Sequence, residues 1–126
     1  LLTADTVVIA GGKVLGKPKD RAEAVAMLKQ LSGREHQVVT GVSLSNALGR
    51  RSFSVLSSVK FRVLTIEEIE YYVDNYKPFD KAGSYGIQEW IGYVGIEGIE
   101  GSFYNVMGLP VQRVYCELKE FVGLVE

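Results

Sequence analysis

Asp5 stands just ahead of a β-branched run, Thr6-Val7-Val8-Ile9-Ala10, where a buried strand would begin. A carboxylate there can ligate a divalent cation or take a proton from water. The plainer alternative is a strand-end aspartate bonded to a turn. Lys17 sits between Gly16 and Pro18. Glycine lets backbone come close to a ligand, and the ammonium supplies a point charge for phosphate. The rest of a P-loop is absent, so a solvated turn lysine is the competing reading. Asp80-Lys81 leads into Ala82-Gly83-Ser84-Tyr85-Gly86-Ile87-Gln88. A glutamine amide, with one acceptor and two donors, can read the edge of a base from such backbone. An incidental loop glutamine fits the same string. His36 is the single histidine, between Glu35 and Gln37. No serine or cysteine motif partners it, so a structural or exposed place is expected and a Ser–His triad is not supported.

Those residues need elements to position them. Thr6 to Ala10 reads as a strand, Gly11-Gly12 as a tight turn, and Lys13 to Leu15 as the returning arm of a hairpin. Asp20 N-caps a helix with Glu23 as capping-box partner, Ala24, Met27, Leu28 and Leu31 face the core, and Gly33 ends it. His36 to Leu44 and Phe53 to Val63 read as paired antiparallel strands, with Asn46 to Arg51 as the loop between them. Thr65 and Glu68 cap a second helix, with Ile66, Ile69 and Val73 as its apolar stripe, ending before Pro78. Pro78 to Gly108 is dense in glycine, the mark of tight turns or close approach to a ligand. The aromatics at Tyr71-Tyr72 and from Trp90 to Tyr93 are expected in the core. A last helix runs from Leu109-Pro110 through Phe121, with Val111, Val114, Tyr115, Leu118 and Val122 as its apolar set and Cys116 as a buried thiol.

Composition narrows the classes. The 126 residues, 47% hydrophobic and 23% charged, suit one globular core rather than a disordered chain. The formal net charge of −1 disfavours non-specific nucleic-acid binding, while leaving room for a small anion held by a few lysines. Apolar runs are far shorter than the roughly 20 residues that span a bilayer, so no membrane partner is expected. One cysteine forms no internal disulfide and no zinc cluster. With no signal peptide visible, the expected location is cytoplasmic.

Five strings occur in order: Ala4-Asp5-Thr6-Val7-Val8; Leu15-Gly16-Lys17-Pro18; Leu31-Ser32-Gly33-Arg34 with His36 and Val38-Val39-Thr40-Gly41-Val42; Asp80 to Gln88; and Gly101-Ser102-Phe103-Tyr104-Asn105-Val106-Met107-Gly108-Leu109-Pro110. Together they resemble the Maf (septum formation) family along essentially the whole chain. The resemblance implies a mixed α/β fold like that of the inosine triphosphate pyrophosphatases, an elongated mixed sheet flanked by helices with a nucleotide cleft between two lobes. It implies hydrolysis of a nucleoside triphosphate to the monophosphate and pyrophosphate with a divalent cation, magnesium or manganese. By family matching, Asp5 is the proton acceptor and a metal ligand, Thr6 and Gln88 set base specificity, Lys17 faces phosphate, Lys81 shares that work, and Asp80 assists the metal. Tyr85-Gly86-Ile87-Gln88 is similar to the branch that acts on dTTP and UTP rather than on 7-methyl-GTP. Homodimers are common in the family.

The family's Ser-x-Ser-Pro-Arg-Arg motif does not occur in this sequence, nor do the glutamate and lysine that follow it. Residues 1–126 are therefore expected to be one Maf-like domain, N-terminally incomplete, whose isolated activity depends on those triphosphate-holding arginines. The alternative function is a non-catalytic nucleotide-binding regulator of septum formation, or an inactive fragment.

Overall fold

A computed structural model describes residues 1–123, and side chains through Phe121. Five strands form one sheet in the order β2-β1-β3-β4-β5, comprising β1 (Leu2–Ala10), β2 (Lys13–Leu15), β3 (Glu35–Asn46), β4 (Gly49–Phe61) and β5 (Ile96–Glu100). The mixed α/β class holds, but the expected mixed sheet does not: every pairing among the described residues is antiparallel. Connections explain two of the four, since β1–β2 and β3–β4 are joined by tight turns that only antiparallel neighbours can use.

Strand alternation places one sheet face on the core. His36, Val38, Thr40, Val42 and Leu44 of β3 are buried, alternating with more accessible residues. Thr6, Val8 and Ala10 of β1 lie on the same face through the pairs Thr6–Thr40 and Val8–Val38. The β3–β4 hairpin is longer and tighter than the sequence suggested. Arg50 and Arg51 continue the ladder, opposite Ser45 and Leu44, and only Ala47-Leu48 turn. Asn46 closes that turn, its Oδ1 accepting from the backbone N–H groups of Leu48 at 2.8 Å and Gly49 at 3.0 Å. A hairpin tip bathed on both sides is polar, and so reads locally as a loop.

Two helices cover the core face. In α1 (Arg21–Leu31) the Asp20 side chain accepts from the Glu23 N–H, while Glu23 itself accepts from Lys19, one residue earlier than a full capping box requires. Ala24, Val25, Leu28 and Leu31 are buried; Met27 packs against them half-covered. In α2 (Ile66–Tyr76) the Thr65–Glu68 capping box is complete. Arg62 grips Glu68 with two nitrogens, and these bonds first, then the backbone bond at Thr65, hold the Glu68 carboxyl down at about 2. Ile69, Tyr72 and Val73 face inward; Ile66 does not, because it lies on the outer side of the first turn.

The glycine-rich stretch folds as a 3-10 turn at Ala82–Ser84, α3 (Trp90–Gly95), β5 and α4 (Phe103–Met107). Of its aromatics, Tyr85 is buried, whereas Tyr93 is 83% exposed; Tyr71 on α2 is likewise exposed while Tyr72 is fully covered. The final helix α5 (Val111–Gly123) differs most from expectation. Val114 and Glu117 face the sheet with Phe121 beside them, while Val111, Tyr115 and Leu118 are exposed and Cys116 is an exposed thiol. Its seat is part apolar, Val114 packing with Val42 and Leu44, and part ionic: Glu117 takes Arg51 at 2.8 Å and Arg113 at 2.9 Å, with Arg113 lying over the Phe53 ring. A carboxylate thus shares the sheet-facing side with Val114, while Val111, Tyr115 and Leu118 of the expected apolar set point away. Val122, assigned to that set, has its side chain outside the described residues. No helix among the described residues is long and apolar enough to cross a membrane.

Candidate functional site

β2 covers β1 only from Val8 to Ala10. From Leu2 to Val7, therefore, β1 presents an edge unpaired on that side among the described residues, and a cleft of about 230 Å³ opens beside it. Asp5, Thr6, Lys17, Asp80, Lys81 and Gln88, the candidate residues named from sequence, all line this cleft. Asp5 and Thr6 are consecutive, so their side chains leave opposite faces of β1. Asp5 is exposed, and Thr6 is half-buried toward the core face. Lys17 arrives immediately after β2 ends. Val106, Met107 and Gly108 form the far wall.

The Asp80–Gln88 segment is irregular in form but closely packed. Gly83 has φ +69°, and its amide donates to the Gly16 carbonyl at 3.1 Å, tying this loop to the one that carries Lys17. A Cβ at Gly83 would lie 2.9 Å from a Val8 methyl, so only glycine lets the loop rest on β1. Tyr85 and His36 meet beneath the cleft, Nε2 and the phenol oxygen 2.6 Å apart, and Phe61 stacks on the His36 ring. Burial pushes the imidazole down to about 4, so His36 is neutral, and burial likewise raises the Tyr85 phenol. His36 is thus structural and buried, one of the two places expected for it.

A second network shapes the charged side. Tyr72 donates to Glu89 at 2.7 Å and accepts from the Gly86 amide at 3.1 Å. Burial, then the bond to Glu89, raises the Tyr72 phenol and keeps it a neutral donor. Lys81 stands between Glu89 at 3.8 Å and Asp80 at 3.2 Å. The hydrogen bond from Lys81 lowers the Asp80 carboxyl, so Asp80 remains anionic. Two aspartates and two lysines in one cleft suit a polyanion bridged by a hard cation.

Local sequence reading missed Tyr72 and Glu89, and it missed two residues behind the far wall. Asn105, fully buried on α4, donates through Nδ2 toward the carbonyls of Val38 at 3.2 Å and Val55 at 3.0 Å and toward the Ser57 hydroxyl at 3.0 Å. Thr40, also fully buried, lies 2.9 Å from Thr6, hydroxyl to hydroxyl. Their partners lie as much as 67 residues away, beyond any periodicity window. A buried asparagine in a glycine-rich string was the available signal.

Comparison with known proteins fits this geometry. The description "Maf-like protein" matches residues 1–121. The chain belongs to the Maf family. Relatives carrying the curated name dTTP/UTP pyrophosphatase include one from Porphyromonas gingivalis, 64% identical over 121 residues, covering 96% of this chain and 61% of the relative. One from Bacteroides thetaiotaomicron is 60% identical over 120 residues, covering 95% and 62% respectively. One from Christiangramia forsetii is 53% identical over 123 residues, covering 98% and 63%. The chain spans about three-fifths of the length of these relatives.

Proposed function

We propose that the cleft binds a nucleoside triphosphate, and that this chain carries the site at which dTTP and UTP are hydrolysed to the monophosphate and pyrophosphate. The observation that supports it most is convergence: Asp5, Thr6, Lys17, Asp80, Lys81 and Gln88, spread along the sequence, line one cavity. The relatives' names point the same way.

In this reading Lys17 and Lys81 face the phosphate oxygens and offset their charge as the phosphoanhydride bond breaks. Asp5, exposed at the open edge of β1, takes the proton of the attacking water. Thr6 and Gln88 read the base, the amide pairing with the O4 and N3–H edge of a pyrimidine. Among the described residues no three acidic, histidine or cysteine side chains form a closed metal cage. Asp5 and Asp80 nonetheless fit a magnesium-like cation, which is commonly held by one or two carboxylates and the substrate's own phosphates. Such a cation would neutralise phosphate charge and make the bound water more acidic. A cytoplasmic location, a single domain over 1–126 and a homodimeric state belong to the same proposal; the first two rest on the sequence itself and the third on the family resemblance.

The test is pyrophosphate release from dTTP, UTP, CTP, GTP and 7-methyl-GTP with magnesium, run on this chain and on the product of the whole gene that encodes it. Release from dTTP and UTP above the others is expected. No release by either protein, with nucleotide still bound, would replace the enzyme with a nucleotide-binding regulator. Substituting Gln88 should reorder the pyrimidine and purine nucleotides, and an unchanged order would remove it from base reading.

A further inference from the structure

Resting on that reading, which puts Thr6 against the base, we infer that buried Thr40 is a positioning residue that presents Thr6 to the cleft as a hydrogen-bond acceptor, selecting bases that carry a ring N–H.

The available protons decide which hydroxyl donates and which accepts. The hydroxyls of Thr6 and Thr40 are 2.9 Å apart and either can donate. Thr6 also reaches the Gly108 carbonyl at 3.3 Å, and Thr40 reaches the Asn105 carbonyl at 3.3 Å. Each hydroxyl has one proton and two lone pairs. In one arrangement Thr40 donates to Thr6 and Thr6 donates to Gly108. In the other Thr6 donates to Thr40 and Thr40 donates to Asn105. If both donate to the carbonyls, two oxygens face each other at 2.9 Å with no proton between them. Both workable arrangements keep the Thr6 proton inside the wall and leave an oxygen lone pair for the cleft. To donate outward, Thr6 would have to abandon one of these bonds.

This asymmetry matters because Gln88 lacks it. Gln88 is exposed, and its amide can turn over to offer either a donor or an acceptor. It can satisfy the O4 of uracil or the amino group of cytosine alike. A fixed acceptor at Thr6 accepts from N3–H of uracil or thymine and meets a bare lone pair at N3 of cytosine. Discrimination between the two pyrimidine edges therefore falls to Thr6, held by Thr40, with the Asn105 and Gly108 carbonyls as the anchors of the pair.

The experiment measures binding of α,β-imido UTP and α,β-imido CTP by calorimetry with magnesium, for the parent chain, Thr40→Val and Thr40→Ser, with melting temperatures recorded for each. Thr40→Val keeps the shape and removes the hydroxyl, leaving Thr6 only its 3.3 Å contact to Gly108. The expected result is a uridine preference in the parent that shrinks about tenfold in Thr40→Val, roughly the value of one net hydrogen bond, and returns in Thr40→Ser. An unchanged ratio in a folded Thr40→Val overturns the inference. So does a parent that does not distinguish the two analogues, or a Thr40→Ser that behaves like Thr40→Val. Pyrophosphate release from UTP is measured alongside. Its absence in a parent that still prefers the uridine analogue would sink the catalytic reading and leave the inference standing.

Discussion

The Asp80–Gln88 segment and α5 make an instructive pair. The first has little regular structure, yet Gly83 through Ile87 are buried, and the segment is bonded to the loop after β2, to α1, to α2 and to β3 by way of Gly16, Met27, Tyr72 and His36. The second is a regular 13-residue helix, yet Val111, Tyr115 and Leu118 face solvent and charge pairs fasten it to the hairpin tip. Regularity of backbone and firmness of attachment are separate properties. What fixes a segment is the density of buried, satisfied contacts to distant elements. The irregular segment is the one that lines the cleft, where a displacement of about 1 Å in a positioning group can cost on the order of a hundredfold in rate.

The contrast can be broken hardest by removing chemistry without disturbing packing. Asp5→Asn is expected to lower pyrophosphate release by about 10²–10⁴-fold while nucleotide binding and melting temperature stay near the parent's, since Asp5 is exposed. Retained turnover would remove Asp5 as the base. Gly83→Ala should come next, by destabilising the irregular segment itself. The left-handed backbone and the 2.9 Å approach to Val8 together cost about 3 kcal/mol, or roughly a 10 °C fall in Tm. A shift below about 2 °C would mean that the loop yields more readily than its burial implies.

Acid should then single out the cleft side. His36 is held neutral to about pH 4 in the folded protein, against an ordinary value of 6.5. Below pH 6.5 the unfolded chain gains a proton that the folded chain refuses, so stability is fully present above that pH and lost toward pH 4. By linkage the loss at pH 5 is about 2 kcal/mol, readable as a lower urea midpoint than at pH 7. In His36→Phe that difference should shrink by about the same amount. The smallest effect is expected at α5, where Glu117→Gln should cost about 1 kcal/mol because its partners Arg51 and Arg113 keep access to solvent. A loss as large as that of Gly83→Ala would erase the contrast between the two segments.

Legibility in the sequence followed the range of the interactions. Caps at Asp20 and Thr65, the Gly11-Gly12 turn and the alternation of β3 are local signals, and they placed α1, α2 and three strands within a few residues. The apolar arc of α5 was equally visible, but it held only at Val114, while Val111, Tyr115 and Leu118 face solvent. What a helix buries depends on its seat, and here the seat is Arg51 on a hairpin whose polar tip looked like loop. The cleft residues were individually weak and became a constellation only through the ordered family strings. Tyr72, Glu89, Thr40 and Asn105 stayed hidden because each acts through a partner far along the chain.

The β3–β4 hairpin has a consequence for how the molecule is reached in time. Its two long arms meet across Ala47-Leu48, so pairing can start at Asn46–Gly49 and zip outward with almost no loop to close. Hairpins of this kind form within about 1–10 μs. Docking of β1 onto β3 must instead gather in everything from Gly11 to Arg34, including α1. The stretch of β1 that borders the cleft is therefore laid down late, on a ladder already standing.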